Sequence, residues 1–408
     1  MLTDINLLLD IAQVIFLIPF LYLLNQEIFK SLKRKHSFFS FRLMNNLFFY
    51  HLIFGAIYYA YASYNPSDSH RYFSVPQKEG KEWMDFATTG SGFIDFLSYP
   101  FINYLDFSYE MMMLLFTWMG FMGFVYAYLI FRENIPYKIK VFKKINLLPL
   151  ILFLPNMHFW TASLGKGAPI FLGLMMFAYA VRKPEQNWQS LLLGSLLVFF
   201  IRPHIFLLVA IVAVLGILLG KKEIAWKKKL IYTSLITGTL LIFKDQILGV
   251  VNLGNSQDLI GDFLAFTDKR SDSLGEASSG VAMSEYSLFE KFFTFWFRPL
   301  FFDAPGFFGV IVSVENLIYL LLVIKLFKRN FFSFIKIAPV KVKMSLLLFL
   351  LSSFAMTFVM SNLGIIIRQK TMVMYFLFFV IYYFLAHEQT LKTHPKVIKL
   401  QIYHRKAA

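Results

Sequence analysis

YEMMMLLFTWMGFMGFVYAYLIF, residues 109–131, has one charged side chain, Glu110, followed by an unbroken apolar and aromatic run. A helix rises 1.5 Å per residue, so about 20 such residues cross the roughly 30 Å hydrocarbon core of a bilayer. The fold class depends on how often that run recurs. Across 408 residues the chain is 58% apolar and 19% aromatic, with a mean hydropathy of +0.60. Soluble domains carry roughly 45–50% apolar residues. The expectation is an all-α polytopic membrane protein with about 11 transmembrane helices. The expected spans are 5–24, 44–63, 109–131, 146–156, 168–181, 188–201, 205–219, 230–244, 309–327, 344–360 and 371–386. Several are too short to cross a bilayer straight, so they meet at polar turns or run on by a turn. The first, INLLLDIAQVIFLIPFLYLL, lacks a basic leader and a small-residue cleavage motif and reads as a retained helix.

Lysine and arginine orient the spans. Most of the 40 basic residues fall in KSLKRKHSFFSFR (30–42), RENIPYKIKVFKK (132–144), RKPEQ (182–186), KKEIAWKKK (221–229), KRNFFSFIKIAPVKVK (328–343) and KTHPKVIKLQIYHRK (392–406). By the positive-inside rule that side is cytoplasmic. The N-terminus is then outside and the C-terminus inside, with a basic cytoplasmic tail at 387–408. Outer loops at 64–108 and 245–308 hold most of the acidic residues. The second contains an amphipathic stretch from residue 258, a Ser/Gly/Ala-rich piece and an aromatic helix, and reads either as a cover for a site or as a connector. A net charge of +16 is thus a topology signal and a contact with anionic lipids. Nucleic-acid binding is not expected, because the charge is spread over separate loops. No internal repeat divides the chain, so 1–408 is read as one transmembrane domain.

The informative cations are those on the outer side: Lys166 in SLGKGAP, Arg202 in FFIRPHIF, Arg298 in FWFRPLFF, and Arg368 and Lys370 in SNLGIIIRQK. Each lies beside Gly or Pro at a helix end. A helix over 168–181, with Pro169 in its first turn, would turn its free N–H groups toward the same surface as Lys166. Two readings stand: a shared anion site, or cations that snorkel separately to headgroups, Lys370 first among them. His204 is read as a hydrogen-bonding residue or a proton-transfer group. In the first outer loop, YASYNPSDSHRYF supplies Asp68, His70 and Arg71. Asp68 can serve as a base toward a hydroxyl, with His70 second, or as a helix N-cap. Asp95 and Asp106 point outward from an interfacial or re-entrant helix, and Asp95 is read as structural.

An acid ahead of Tyr-Phe (SDSHRYF), the stretch FWTASLGKGAPIF (159–171), RPH at a helix turn and NLG-xxx-RQK before the last span resemble bacterial multi-spanning proteins of polysaccharide assembly. These are the GT-C-type glycosyltransferases and the Wzy- or EpsG-like polymerases. The resemblance covers the plan of helices and loops, with motifs totalling a few dozen residues. It implies a GT-C-like fold and transfer of sugar or oligosaccharide from a polyprenyl-(di)phosphate carrier to a glycan or lipid-linked acceptor at the outer face of the cytoplasmic membrane. Asp68 matches the outer-loop acid that serves as base, and Arg202 and Arg368 match arginines that handle the lipid diphosphate. Where similar proteins carry an acid after the Gly-Lys pair, this chain has Gly167, so Lys166 is the only ionisable group of that segment. The expected site is therefore Asp68 and His204 as catalytic groups, with Lys166, Arg202, Arg298 and Arg368 on phosphate and His70 and Arg71 as accessories. No cofactor is required, although a divalent cation bridging Asp68 to phosphate fits. Other polysaccharide-assembly membrane proteins are expected partners.

Two other classes compete. A transporter or flippase would use cations at helix breaks but implies repeats and midplane binding groups. A scaffold would use its aromatic loops for docking. With no cysteine, disulfides, thiolate metal sites and cysteine nucleophiles are excluded. HExxH, P-loop, GxGxxG and GxSxG patterns do not occur.

Overall fold

The fold is that of a computed structural model. It describes residues 2–393, except 136, 182, 220–224, 250–257, 259–260, 263–264, 266, 268, 270–279, 282, 305 and 329. Most of the Ser/Gly/Ala-rich part of the second long loop, and the basic tail beyond 393, lie outside the described residues.

The protein is a helical membrane protein. Its helices are α1 (Leu2–Lys35), α2 (Phe41–Tyr64), α3 (Asp68–Ser74), α4 (Ser91–Asn103), α5 (Tyr109–Asn134), α6 (Leu147–Leu152), α7 (Pro155–Thr161), α8 (Gly167–Ala180) and α9 (Trp188–Ile201). These are followed by α10 (Pro203–Leu219), α11 (Trp226–Ile242), α12 (Lys244–Gly249), α13 (Leu288–Phe297), α14 (Gly306–Ile324), α15 (Asn330–Ile337), α16 (Val340–Thr357) and α17 (Leu363–Thr393). Every expected span overlaps helix, with 309–327 and 344–360 each running three residues past the helix end. Five stretches, in α1, α5, α14, α16 and α17, are long and apolar enough to cross a membrane; α8, α9, α10 and the α6–α7 pair are apolar but shorter.

Local chemistry sets the boundaries. Ser40, Ser67 and Ser108 accept N-terminal N–H groups of α2, α3 and α5, and Ser287 with Glu290 forms a capping box on α13. Each cap fills backbone donors that have no partner within the helix. The expected span 146–156 is in fact two helices continuing to Thr161. They are broken at Phe153 and Leu154, because Pro155 begins α7 and disfavours helix in the residue before it. The loop 64–108 is mostly ordered helix, holding α3, α4 and two short 3₁₀ turns.

α5 and α17 form the centre, enclosed by α2, α7, α8 and α16. Small residues let the backbones approach. Gly123 of α5 lies under Phe171, and Gly173 of α8 faces Gly194 of α9 with no room for a side chain between them. Such close approach is how apolar helices gain dispersion energy where no water is expelled. Chain alternation sends the start of α5, the α7–α8 turn, the α9–α10 turn and the start of α17 to one end of the bundle. The opposite end is tied by His36 to Tyr179 (3.1 Å), Tyr137 to Thr390 (2.5 Å) and Lys341 to Asn134.

At the crossing of α5 with α7, a Cβ on Gly120 would fall 2.0 Å from the Thr161 carbonyl oxygen and 2.9 Å from His51 Nε2. Backbone cannot yield as a side chain does. Gly120→Ala should therefore destabilise the detergent-solubilised protein by about 1–3 kcal/mol, read as a lowered Tm, whereas Gly238→Ala, with open space around it, should not. An unchanged Tm for Gly120→Ala would contradict the packing.

Candidate functional site

The turn from α7 to α8 is built from the bundle outward. Thr117 Oγ1 of α5 donates to the Ala162 carbonyl (3.1 Å), and Leu164 N–H meets Met113 Sδ at 3.3 Å. Gly167 is required here, because a Cβ would stand 2.0 Å from the Trp160 carbonyl oxygen. Lys166 thereby becomes the N-cap of α8, so the helix starts one residue earlier than expected and Pro169 sits in its first turn, where no N–H is missed. The Lys166 ammonium lies beside Gly90, 3.9 Å from where a Cβ would project. Gly90 begins α4 with φ +77° and donates its N–H to the Phe200 carbonyl (2.7 Å) at the end of α9.

The turn between α9 and α10 contributes Arg202, whose backbone N–H closes α9 on Val198. From α17, Arg368 crosses to α3. Its guanidinium donates to Asp68 Oδ2 at 3.0 Å and lies 5.5 Å from the centroid of the Trp160 ring. Arg202, Arg368, Trp160 and Gln369 line one small cavity of about 10 Å³, room for about one water. Trp160 Nε1, Arg202 Nε and Gln369 Oε1 are enclosed and have no protein hydrogen-bond partner. Enclosed polar atoms are normally paired, so three around one cavity mark a place where a further polar group completes the bonding.

Charge concentrates here as well. Burial, and then the like charges of Arg202 and Arg368, push Lys166 down to about 8 from its ordinary 10.5, with Asp68 acting in the opposite sense. Burial followed by Arg368 pushes Arg202 down to about 10, leaving it a cation at neutral pH. Three cations are thus held together against their mutual repulsion, with Asp68 the partly compensating anion. Among the described residues no cluster of three or more His, Asp or Glu side chains gathers in metal-binding proximity.

Asp68, Lys166, Arg202 and Arg368 come together, with Arg71 and His204 within reach of their charges; Arg298 and His70 are bonded elsewhere. The guanidinium of Arg298 is engaged by Asp303 (2.5 Å), Tyr286 and Thr294, so it is an internal tie and not a free cation. His204 does not line the cavity. Its enclosed Nδ1 has no protein partner, and its nearest influential charges are Arg202 and Lys166. His70 hydrogen-bonds the Ala62 carbonyl (2.9 Å) and stacks on Tyr109, which fixes α3 against α2 and α5. Arg71 pairs with Asp95 at 2.9 Å. Asp95 does not point outward: it is 1% exposed, with its carboxyl raised by burial and pulled back by Arg71. The cap of α3 is Ser67 and not Asp68, which frees the Asp68 carboxylate for Arg368. Lys370 does not snorkel. It is fully buried and donates to the Arg298 carbonyl (3.0 Å) and Asn316 Oδ1 (2.5 Å), because two residues along a helix turn it about 200° from Arg368. Trp160 and Gln369, both within the quoted motifs, had no role assigned from sequence.

No protein-family model matches the chain, and no curated protein or solved structure is significantly similar to it.

The cations predict a pH response. Sulfate keeps a constant charge around neutrality, and its affinity should fall as pH rises through about 8, where Lys166 loses its proton. Lys166→Met should flatten that profile, and Arg202→Met should weaken sulfate about tenfold or more. For the empty protein the sign is opposite. The unfolded chain holds the Lys166 proton up to 10.5 and the folded chain releases it at about 8, so stability rises with pH between those values. A pH-independent sulfate isotherm in tryptophan fluorescence would overturn the assignment of Lys166.

Proposed function

We propose that the protein is a membrane glycosyltransferase or polysaccharide polymerase acting on a polyprenyl-(di)phosphate-linked sugar. The observation that carries this reading is a cavity lined by Arg202 and Arg368 with enclosed polar atoms that lack a protein partner, where Asp68 pairs with Arg368 and Lys166 stands within reach of all three charges. In the proposed step an acceptor hydroxyl attacks the anomeric carbon. The carbon–oxygen bond to phosphate breaks, its electron pair goes to the phosphate oxygen, and the hydroxyl proton passes to Asp68. Charge growing on that oxygen is what pre-aligned cations stabilise.

The cavity takes a single oxygen or a water, so the rest of the phosphate and the sugar belong above it, toward the half-exposed Asp68. Arg368 has a double part in this scheme. In the empty site it holds Asp68, and a substrate phosphate competes for the guanidinium and releases the carboxylate to act as base. For the lipid tail, an aromatic strip leads away from Trp160. Phe159 packs on Trp160 with ring centroids 5.0 Å apart, and Tyr61 and Phe308 follow at 5.6 and 6.2 Å from Phe159. Phe308 is half-exposed, so the strip opens to the surroundings of the bundle.

Orientation is part of the proposal: eleven crossings of the bacterial cytoplasmic membrane, a GT-C-like plan, N-terminus outside, C-terminus cytoplasmic and the site at the outer face. Its support is that the basic segments around 30–42, 132–144 and 328–343 border the bundle end opposite Asp68. A carrier of a lipid-linked or anionic solute is the second reading, favoured by Glu315 and Lys370 lying buried within helices long enough to span.

Asp68→Asn should lower sugar transfer from a polyprenyl-linked donor by about 10²–10⁴-fold, with expression and Tm retained and sulfate affinity retained or raised, since Asp68 competes with the anion for Arg368. Undiminished transfer would remove Asp68 from the chemistry; donor movement across vesicles without transfer would favour the carrier. The chain has no cysteine, so sidedness is directly readable. In intact cells a membrane-impermeant maleimide should label Tyr104→Cys but not Phe327→Cys, both exposed positions. The reverse pattern would invert the proposed orientation.

A further inference from the structure

Behind the anion site, three helices are joined by a closed circuit of buried hydrogen bonds. At the start of α7, the Asn156 backbone N–H donates to Glu315 Oε2 of α14 (2.8 Å), and Asn156 Nδ2 donates to the Ile367 carbonyl of α17 (3.1 Å). Glu315 Oε1 accepts from Tyr319. Asn316, the next residue of α14, accepts from Lys370 of α17 (2.5 Å) and donates to the Pro299 carbonyl (2.8 Å). Lys370 also donates to the Arg298 carbonyl (3.0 Å) and stands 5.8 Å from the centroid of the Tyr319 ring. Glu315, Asn316 and Lys370 are at most 2% exposed, and Asn156 is 5% exposed.

The circuit is costly to build. Ionisable and amide groups inside a membrane bundle are tolerated only when partnered, and they otherwise mark function. None of these four side chains lines the cavity, yet Asn156 and Lys370 are each next in sequence to a residue that does, and Glu315 and Asn316 hold those two in place from α14. Asn156 is one helical turn before Trp160, and Ile367 and Lys370 flank Arg368 and Gln369 on α17. The circuit therefore acts on the two helices whose side chains face each other across the site, Trp160 on α7 and Arg368 on α17. α7 has only seven residues and follows a break, so its own backbone bonds do not set where it stands.

We propose that Asn156, Glu315, Asn316 and Lys370 are positioning residues that fix Trp160 against Arg368, and so set the geometry of the anion site. The inference rests on the proposed anion site for its use, but not for its test. Six tryptophans carry 5-fluorotryptophan in the purified full chain, and the ¹⁹F signal lost in Trp160→Phe identifies Trp160. Asn156→Ala removes one bond of the circuit and leaves both ionisable partners in place. It should move the Trp160 resonance by more than its linewidth and leave Trp118, Trp188 and Trp226 unmoved. Lys370→Met combined with Glu315→Gln removes both ionisable partners together, because removing one leaves the other stranded, and it should move the same resonance. Sulfate should bind Asn156→Ala about tenfold more weakly than the parent at a temperature where both are fully folded, an effect that a purely stabilising residue would not give.

A Trp160 resonance that stays in place in folded Asn156→Ala overturns the proposal, whatever the paired variant does. Should Asn156→Ala fail to fold, the paired variant decides by the same reading; should neither fold, the circuit is a folding element and the proposal fails. Sulfate that leaves the parent's Trp160 signal unmoved while the variants move it would reject the anion site and keep the circuit.

Discussion

In an apolar environment a broken helix must find partners for the backbone groups at its break, since no water reaches them. The break at Phe153 and Leu154 is where this constraint shapes the protein most. It leaves α7 short, with its first N–H groups inside the bundle. Glu315 accepts the Asn156 N–H from a different helix. A carboxylate placed deep in a spanning helix then needs donors of its own, and Tyr319 supplies one. Lys370 places a basic group nearby, and its own bonds reach the Arg298–Pro299 turn. One backbone interruption thus generates a chain of polar obligations that ends at the positions of Trp160 and Arg368.

Solvent access governs the candidate site in a different way. Asp68, over half exposed at its side chain, meets the less exposed Arg368 at 3.0 Å. An ion pair reached by solvent is worth little, so a phosphate arriving at Arg368 displaces Asp68 at small cost. Arg71 and Asp95 form the contrasting pair, with the carboxyl enclosed and the pair serving to fasten α3 to α4. Two acid–arginine pairs in one loop region therefore do different things, and solvent access separates them.

Helices and their order were legible in the sequence because apolar runs are long and polar breaks few. The candidate site was legible in part. Lys166, Arg202 and Arg368 stood out as cations beside Gly or Pro, and they do meet. Arg298 had the same local signature, and its bonds to Asp303, brought back by the turn after Pro299, and to Tyr286 and Thr294 distinguish it. Lys370 and Arg368 share one short motif but face opposite sides of α17. Helical phase shows that they diverge; what covers the second face is a matter of tertiary packing. The inward position of Asp95 is not legible locally, because its partner Arg71 lies 24 residues away. Pro155 announces the break within 146–156, but the apolar run on either side of it hides where each helix ends.

Asp68 and Arg368 are separated by 300 positions in the chain, and this has a consequence for biogenesis. At synthesis rates of about 5–20 residues per second, the interval between their emergence is roughly 15–60 s. Throughout that interval the early loop waits for its partner, and α3 relies on nearer contacts such as His70 on Tyr109 and Arg71 on Asp95. The last long helix both fills the centre of the bundle and brings Arg368 to Asp68. A nascent chain therefore carries no assembled site until its final helix is in place, so incomplete products in the membrane are inert toward whatever that site binds.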